Sequence, residues 1–182
     1  MNGENETALG FLAFWLDAGS TLWFGGGDAF DDTCRRWIGL WEEARDGGHT
    51  EWMATAAGSL ARIILLDQIP RNVFRGSPDQ FATDPLALAA AEAAIAQRFD
   101  HTQTMPVKNF FYLPFQHSED LTVQMRGVDL YRRAGDKEAY HWALIHADAI
   151  QRFGRFPHRN RALGRETTAQ EADYLASGGF GS

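Results

Sequence analysis

Apolar side chains recur along this chain at intervals of three and four residues, and nowhere in a sustained run at two. The first spacing lines one face of an α-helix and the second lines one face of a strand, so the pattern confines the chain to helices. Leu9, Ala13 and Leu16 form such a stripe over residues 7–17, widened by Phe11, Phe14 and Trp15. A loop is expected at residues 23–27. The acidic start at Asp28 then opens a second helix, with Trp37, Leu40, Trp41 and Ala44 on its apolar face, which reaches about Arg45 before Gly47 and Gly48 stop it. Ser59 is placed to cap a helix ending near Gln68, just before Pro70. Asp84 and Pro85 open an alanine-rich helix to about Arg98. Residues 113–134 read as one helix of roughly 20 residues, closed by Gly135. Asp136 caps the next helix, to about Phe153, and Thr168 with Glu171 offers a capping box for a last short one ending at Gly178 and Gly179. The expectation is a single all-α domain over residues 1–182, about six or seven helices packed as antiparallel hairpins. No repeat of ~34 residues is visible in the spacing.

Size and charge narrow the function. A chain of 182 residues buries about 70% of its unfolded surface, so folding needs no disulfide or metal. Cys34 is alone and can form no intrachain disulfide. A structural thiol on a helix is the plainer reading of it, although Arg35 and Arg36 follow. With 17 basic and 24 acidic side chains the net charge is −7, which argues against general nucleic-acid binding through bulk positive charge. The excess is uneven: residues 1–60 hold ten acids against three arginines, and residues 61–182 balance at fourteen each. Arginine outnumbers lysine 15 to 2. The longest apolar runs fall far below the ~20 residues of a membrane span, and the acidic, polar start lacks the basic region of a signal peptide, so a cytoplasmic protein without membrane contact is expected. No P-loop, nucleophile elbow, zinc-protease helix or dinucleotide fingerprint occurs.

Three places set polar groups on otherwise apolar faces. Asp67 shares the face of Ile63 and Ile64, and a carboxylate there needs a partner; Arg71 and Arg75 follow within reach, as an ion pair pinning the turn or as groups facing a ligand. If a helix opens near Pro114, His117, Asp120 and Gln124 fall on one side of it, with Glu119 beside them. His117 next to a carboxylate suits a general base or a metal ligand, while acids in a first turn have a plain structural reason. The third place is the densest: Arg152, Arg155, Arg159, Arg161 and Arg165, with His158 and Asn160, occupy residues 149–165 without one acid. Guanidinium groups interleaved with Phe153 and Phe156 suit an anion, which they grip bidentately. The alternative is that they pair with the acidic N-terminal third. His146, upstream, is placed to point inward, and Asp148 with Arg152 makes an ordinary i,i+4 pair.

The stretches LLDQIPRNVFRG, FFYLPFQHSED and RFGRFPHRNRALGRETT, in this order, resemble the bacterial domain-of-unknown-function family 924, and FLAFWLD and QEADYL extend the likeness over nearly the whole chain. Ile69 stands where the family pattern carries Phe, which keeps the position apolar. The resemblance implies a tetratricopeptide-like, right-handed helical array and no known reaction. The polar positions that match are Asp67, Gln68, Arg71, Asn72, Arg75, His117, Ser118, Glu119, Asp120, His146, Arg152, Arg155, His158, Arg159, Asn160 and Arg165.

The leading expectation is a binding module for a small anionic ligand or a peptide carboxylate. Its contacts would come from Arg71, Arg75, Arg152, Arg155 and Arg159, with Asn72, His117 and Asn160 adding hydrogen bonds. One alternative is an enzyme, such as a metal-assisted hydrolase, using His117, Glu119 and Asp120 with Asp67 and His146. Another is a protein–protein scaffold whose polar networks are purely structural. No resident cofactor or metal is expected, and oligomeric state is left open.

Overall fold

Helical spacing does become helix throughout, but several helix ends lie where packing puts them and not where local signals do. The structure, a computed structural model, describes residues 3–181. The helices are α1 (Gly3–Gly25), α2 (Gly27–Cys34), α3 (Ile38–Arg45), α4 (Ala56–Asp67), α5 (Ile69–Val73), α6 (Asp84–Ala96), α7 (Asn109–His117), α8 (Leu121–Ala134), α9 (Lys137–Phe153) and α10 (Ala169–Ala176). Short 3-10 turns punctuate them, among them Arg35–Trp37 and Pro157–Arg159. Among the described residues there is no strand, and the fold is all-α. No described helix is long and apolar enough to cross a membrane.

The chain divides into two compact units, one running to Arg75 and resuming over Asp79–Pro114, the other made of Gly76–Pro78 and the residues from Phe115 on. In the first unit, α4 is the central helix, packed by α1, α3, α5 and α6. It is buried along almost its whole length, from Gly58 to Asp67. Its cap is Thr55, whose hydroxyl accepts from the Gly58 amide at 3.1 Å, and not Ser59, which lies wholly buried a turn later. Gly58 permits this start because a Cβ there would sit 2.3 Å from the Trp52 carbonyl oxygen. α1 runs on through the expected loop to Gly25, breaking at Gly19 (φ 75°). Packing explains the extension: Trp23 is buried, donates its indole N–H to the Trp15 carbonyl at 2.6 Å, and meets the Phe110 ring edge-on at 5.0 Å. The helix expected from Asp28 to Arg45 is interrupted by the Arg35–Trp37 turn, which changes the phase of its side chains. Trp37 thereby lies edge-on to Phe11 at 5.1 Å, with Arg36 over Phe14 at 4.2 Å.

The expected long helix over residues 113–134 is two helices. α7 ends at His117, and α8 begins at Leu121 under a cap from Asp120, whose Oδ1 accepts from the Thr122 and Val123 amides at 2.7 and 3.1 Å. Gln124 closes the reversal from the other side, donating Nε2 to the Gln116 and Ser118 carbonyls at 2.6 and 2.7 Å. The turn is sharp enough that a Cβ on Gly127 would come 2.9 Å from Phe115 Cβ. His117, Asp120 and Gln124 therefore do not share a helical face. In the second unit α8 and α9 pack as a hairpin through the left-handed Gly135, and α10 lies on the Pro157–Arg159 turn. Ala149, Ile150, Phe156 and Tyr174 form a buried cluster there, with Phe153, Leu175 and Phe180 against it.

Candidate functional site

In the second unit, the arginine-rich segment meets acids supplied by other parts of the same unit. Arg155 grips Glu171 with two N–H groups at 2.6 and 2.9 Å and donates to the Glu166 carbonyl at 2.8 Å. Glu171 is the N3 residue of the α10 capping box, and it also receives the Thr168 amide at 2.8 Å and Asn160 Nδ2 at 3.2 Å. These donors, Arg155 first, outweigh desolvation and hold the Glu171 carboxyl down at about 2. Arg165 makes the second clamp, reaching Glu119 at 2.8 and 2.9 Å, and the Phe156 amide adds a third donor at 2.8 Å. Burial would raise the Glu119 carboxyl, but Arg165 and the Phe156 amide keep it below its ordinary range. The partners of Arg155 and Arg165 are thus Glu171 and Glu119 respectively, not the acidic N-terminal third. Arg152 is exposed, 3.5 Å from Asp148, with its guanidinium over the Tyr174 ring at 4.8 Å. Arg161 is exposed as well.

The same unit gathers a cluster of imidazoles. His117 from the end of α7 and His146 from α9 have ring centroids 6.4 Å apart. The Phe156 ring lies 5.9 Å from His146 and 5.5 Å from His158. Arg159, on the same turn as His158, is buried over the Phe156 ring at 4.7 Å and donates to the His117 carbonyl at 3.0 Å. His146 Nδ1 donates to the Trp142 carbonyl at 2.7 Å; a carbonyl only accepts, so the ring proton sits on Nδ1 and Nε2 carries the lone pair. Burial pushes His146 down to about 3; the Trp142 carbonyl opposes this, and His117, His158 and Arg159 add to it. The imidazole is therefore neutral at ordinary pH. A sixth member, Phe180, covers His146 with ring centroids 4.0 Å apart. Phe156 stands out in the sequence as an aromatic interleaved with the arginines, but nothing there marks Phe180, because neither charge nor spacing singles out an aromatic that follows a glycine pair.

The first unit holds Asp67, Arg71, Asn72 and Arg75. Asp67 is 1% exposed, accepts from Gln68 Nε2 at 2.6 Å, and lies 3.3 Å from Arg71, which also donates to the Asp67 carbonyl. The other end of the Arg71 guanidinium reaches Asp84, at the start of α6, at 2.8 Å. Asn72 donates one turn back to the Gln68 carbonyl at 2.9 Å. Arg75 pairs bidentately with Asp31 at 2.9 and 3.0 Å. Burial raises the Cys34 thiol to about 12, with Asp31 adding to it, so the thiol is unreactive. A surface pocket of about 600 Å³ gathers Glu42, Glu43, Asp46, His49 and Glu51, and His49 stands 2.8 Å from Glu43. Among the described residues, no group of three or more His, Cys, Asp or Glu side chains is arranged to hold a metal ion.

The chain resembles known proteins over nearly its whole length. Residues 11–179 match the model of a family described as bacterial protein of unknown function. A solved structure of a protein of unknown function from Agrobacterium tumefaciens is 41% identical, with a TM-score of 0.91, and the likeness covers 95% of this chain and 98% of that one. No curated protein matches. The family match spans all three polar motifs and both guanidinium–carboxylate clamps, and on it the chain belongs to the bacterial family of unknown function DUF924.

Proposed function

We propose that the second unit binds a small anion, a phosphate or a carboxylate, at the cluster of His117, His158 and Arg159, with the neutral His146 ring, whose N–H is spent on the Trp142 carbonyl, as one wall of the site. One observation carries this reading: His146, His158 and a buried guanidinium meet on the Phe156 ring, with His117 beside His146 and Arg159 6% exposed, 4.7 Å from the ring centroid. Desolvated N–H donors bind an anion more strongly than the same groups in water, and a stacked guanidinium presents its fork in a fixed direction. Arg155 and Arg165, each closed on a carboxylate, serve as the frame that holds the Pro157–Arg159 turn in place. Arg71 and Arg75 do the same work in the first unit. An enzymatic reading, with His146 as general base, has the free Nε2 in its favour. A base held near 3 is poorly matched to proton abstraction at neutral pH, so binding is the better supported reading.

Titration with inorganic phosphate, followed by the imidazole nitrogen resonances, tests the proposal. His117, His146 and His158 should all shift along one binding curve, and phosphate at about 100 times its Kd should stabilise the fold by about 2.7 kcal/mol. Arg159→Gln and the milder His158→Asn should each weaken that curve. Imidazole signals unmoved by phosphate and by carboxylates alike would overturn the reading.

A further inference from the structure

Beyond α10 the chain turns back over the imidazole cluster. The turn is made by the left-handed Gly178 (φ 82°), whose amide donates to the Leu175 carbonyl at 3.2 Å. Gly179 donates to the Tyr174 carbonyl at 2.9 Å, and the Phe180 amide to the Tyr174 hydroxyl at 2.9 Å. Phe180 then lays its ring on His146 at 4.0 Å, edge-on to His158 at 5.0 Å and 5.8 Å from Phe156. Gly181 follows so closely on His158 that a Cβ there would lie 2.5 Å from the His158 side chain.

Two features of this segment differ from the rest of the site. Its hold on the unit runs through one residue, Tyr174, for two of these three backbone hydrogen bonds, whereas Glu119 and Glu171 each receive several charge-assisted bonds. Glycine stands on both sides of Phe180, so the segment swings at small backbone cost. The ring is only partly buried, yet it fills a place walled by His146 and, at the separations aromatic rings favour, by His158 and Phe156.

We propose that Phe180 is a displaceable plug in the anion site, and that the ligand is an anion carrying an aromatic ring, which takes the place of the Phe180 ring against His146 while its charged group reaches Arg159 and His158. The inference rests on the anion reading above and adds to it the ligand class and the regulation of access. A plug docked nine-tenths of the time weakens apparent affinity by about tenfold, because only the open fraction is competent to bind.

The test is calorimetric titration of the full chain with phenyl phosphate, inorganic phosphate and phenol, for wild type, Phe180→Ala and Gly181→Ala. The second variant leaves the aromatic slot intact and pushes the segment away, since its new Cβ meets His158 at a left-handed position (φ 82°). Both variants should bind phenyl phosphate about tenfold more tightly than wild type, and more tightly than they bind inorganic phosphate. Affinity unchanged in both variants overturns the plug. Equal affinity for phenyl phosphate and inorganic phosphate in the variants overturns the aromatic ligand class. Phenol binding as tightly as phenyl phosphate would leave the slot standing and overturn the anion reading instead.

Discussion

Arg71 in the first unit is half-buried and His146 in the second is buried, both among polar side chains, and their surroundings drive them in opposite directions. Burial works to lower the Arg71 guanidinium, but Asp67 and Asp84 outweigh it and raise it, so the charge is held. Around His146, burial acts in concert with His117, His158 and Arg159, and the charge is expelled. A buried cation between carboxylates is a finished network whose product is the placement of α4, α5 and α6. At His146 the charged neighbours that act on the ring are all basic, so a proton there is opposed and not held. Such departures from local consistency mark functional places more often than structural ones.

The largest test of that contrast is Asp67→Ala. It leaves Arg71 and Gln68 buried without their inner acceptor, and should cost about 3–5 kcal/mol in urea unfolding. A loss below about 1 kcal/mol would mean that Asp84 alone satisfies Arg71 and that the first network is not a load-sharing one.

A smaller effect, of opposite pH logic, is expected at His146. Its folded-state value of about 3 lies below the ordinary 6.5, so the unfolded chain takes up the proton first as the pH falls. Its contribution to stability is whole above 6.5 and is lost on the way down to about 3. At about pH 5 that loss amounts to about 2 kcal/mol, and His146→Asn, which keeps a donor for the Trp142 carbonyl, should remove it. Identical pH profiles for wild type and variant would place His146 on the same footing as an ordinary solvated imidazole.

The smallest effect is expected at Arg152, which is exposed and stands 3.5 Å from Asp148. Arg152→Ala should change stability by no more than about 0.5 kcal/mol. If the same substitution weakens phosphate binding several-fold, the anion site extends from the imidazole cluster to the exposed end of α9.

The helices were legible because their apolar faces carry the energy of burial, and face periodicity is written in the local sequence. The caps at Asp136 and Thr168 and the left-handed stop at Gly135 were legible for a similar reason: each satisfies backbone groups within a few residues. The errors fell where a distant side chain decided the outcome. Trp23 drew α1 through an expected loop, and Gln124 with Gly127 folded a supposed single helix back on itself. In the site, the polar residues were legible as misfits on apolar faces, but their partners were not. Arg155 and Arg165 looked like ligands for an anion because their acids, Glu171 and Glu119, lie 16 and 46 residues away.

By itself the sequence determined the all-helical class, the caps at Asp136 and Thr168, and the identity of the polar residues that had to find partners, since periodicity and capping act over one or two turns. Only the tertiary structure decided which guanidinium meets which carboxylate, that His146 and His158 pack on Phe156 with His117 beside His146, and that Phe180 lies over His146. Those outcomes depend on charges and rings brought together from separate elements, where desolvation and pairing are set by three-dimensional neighbours and leave no periodic trace in the chain.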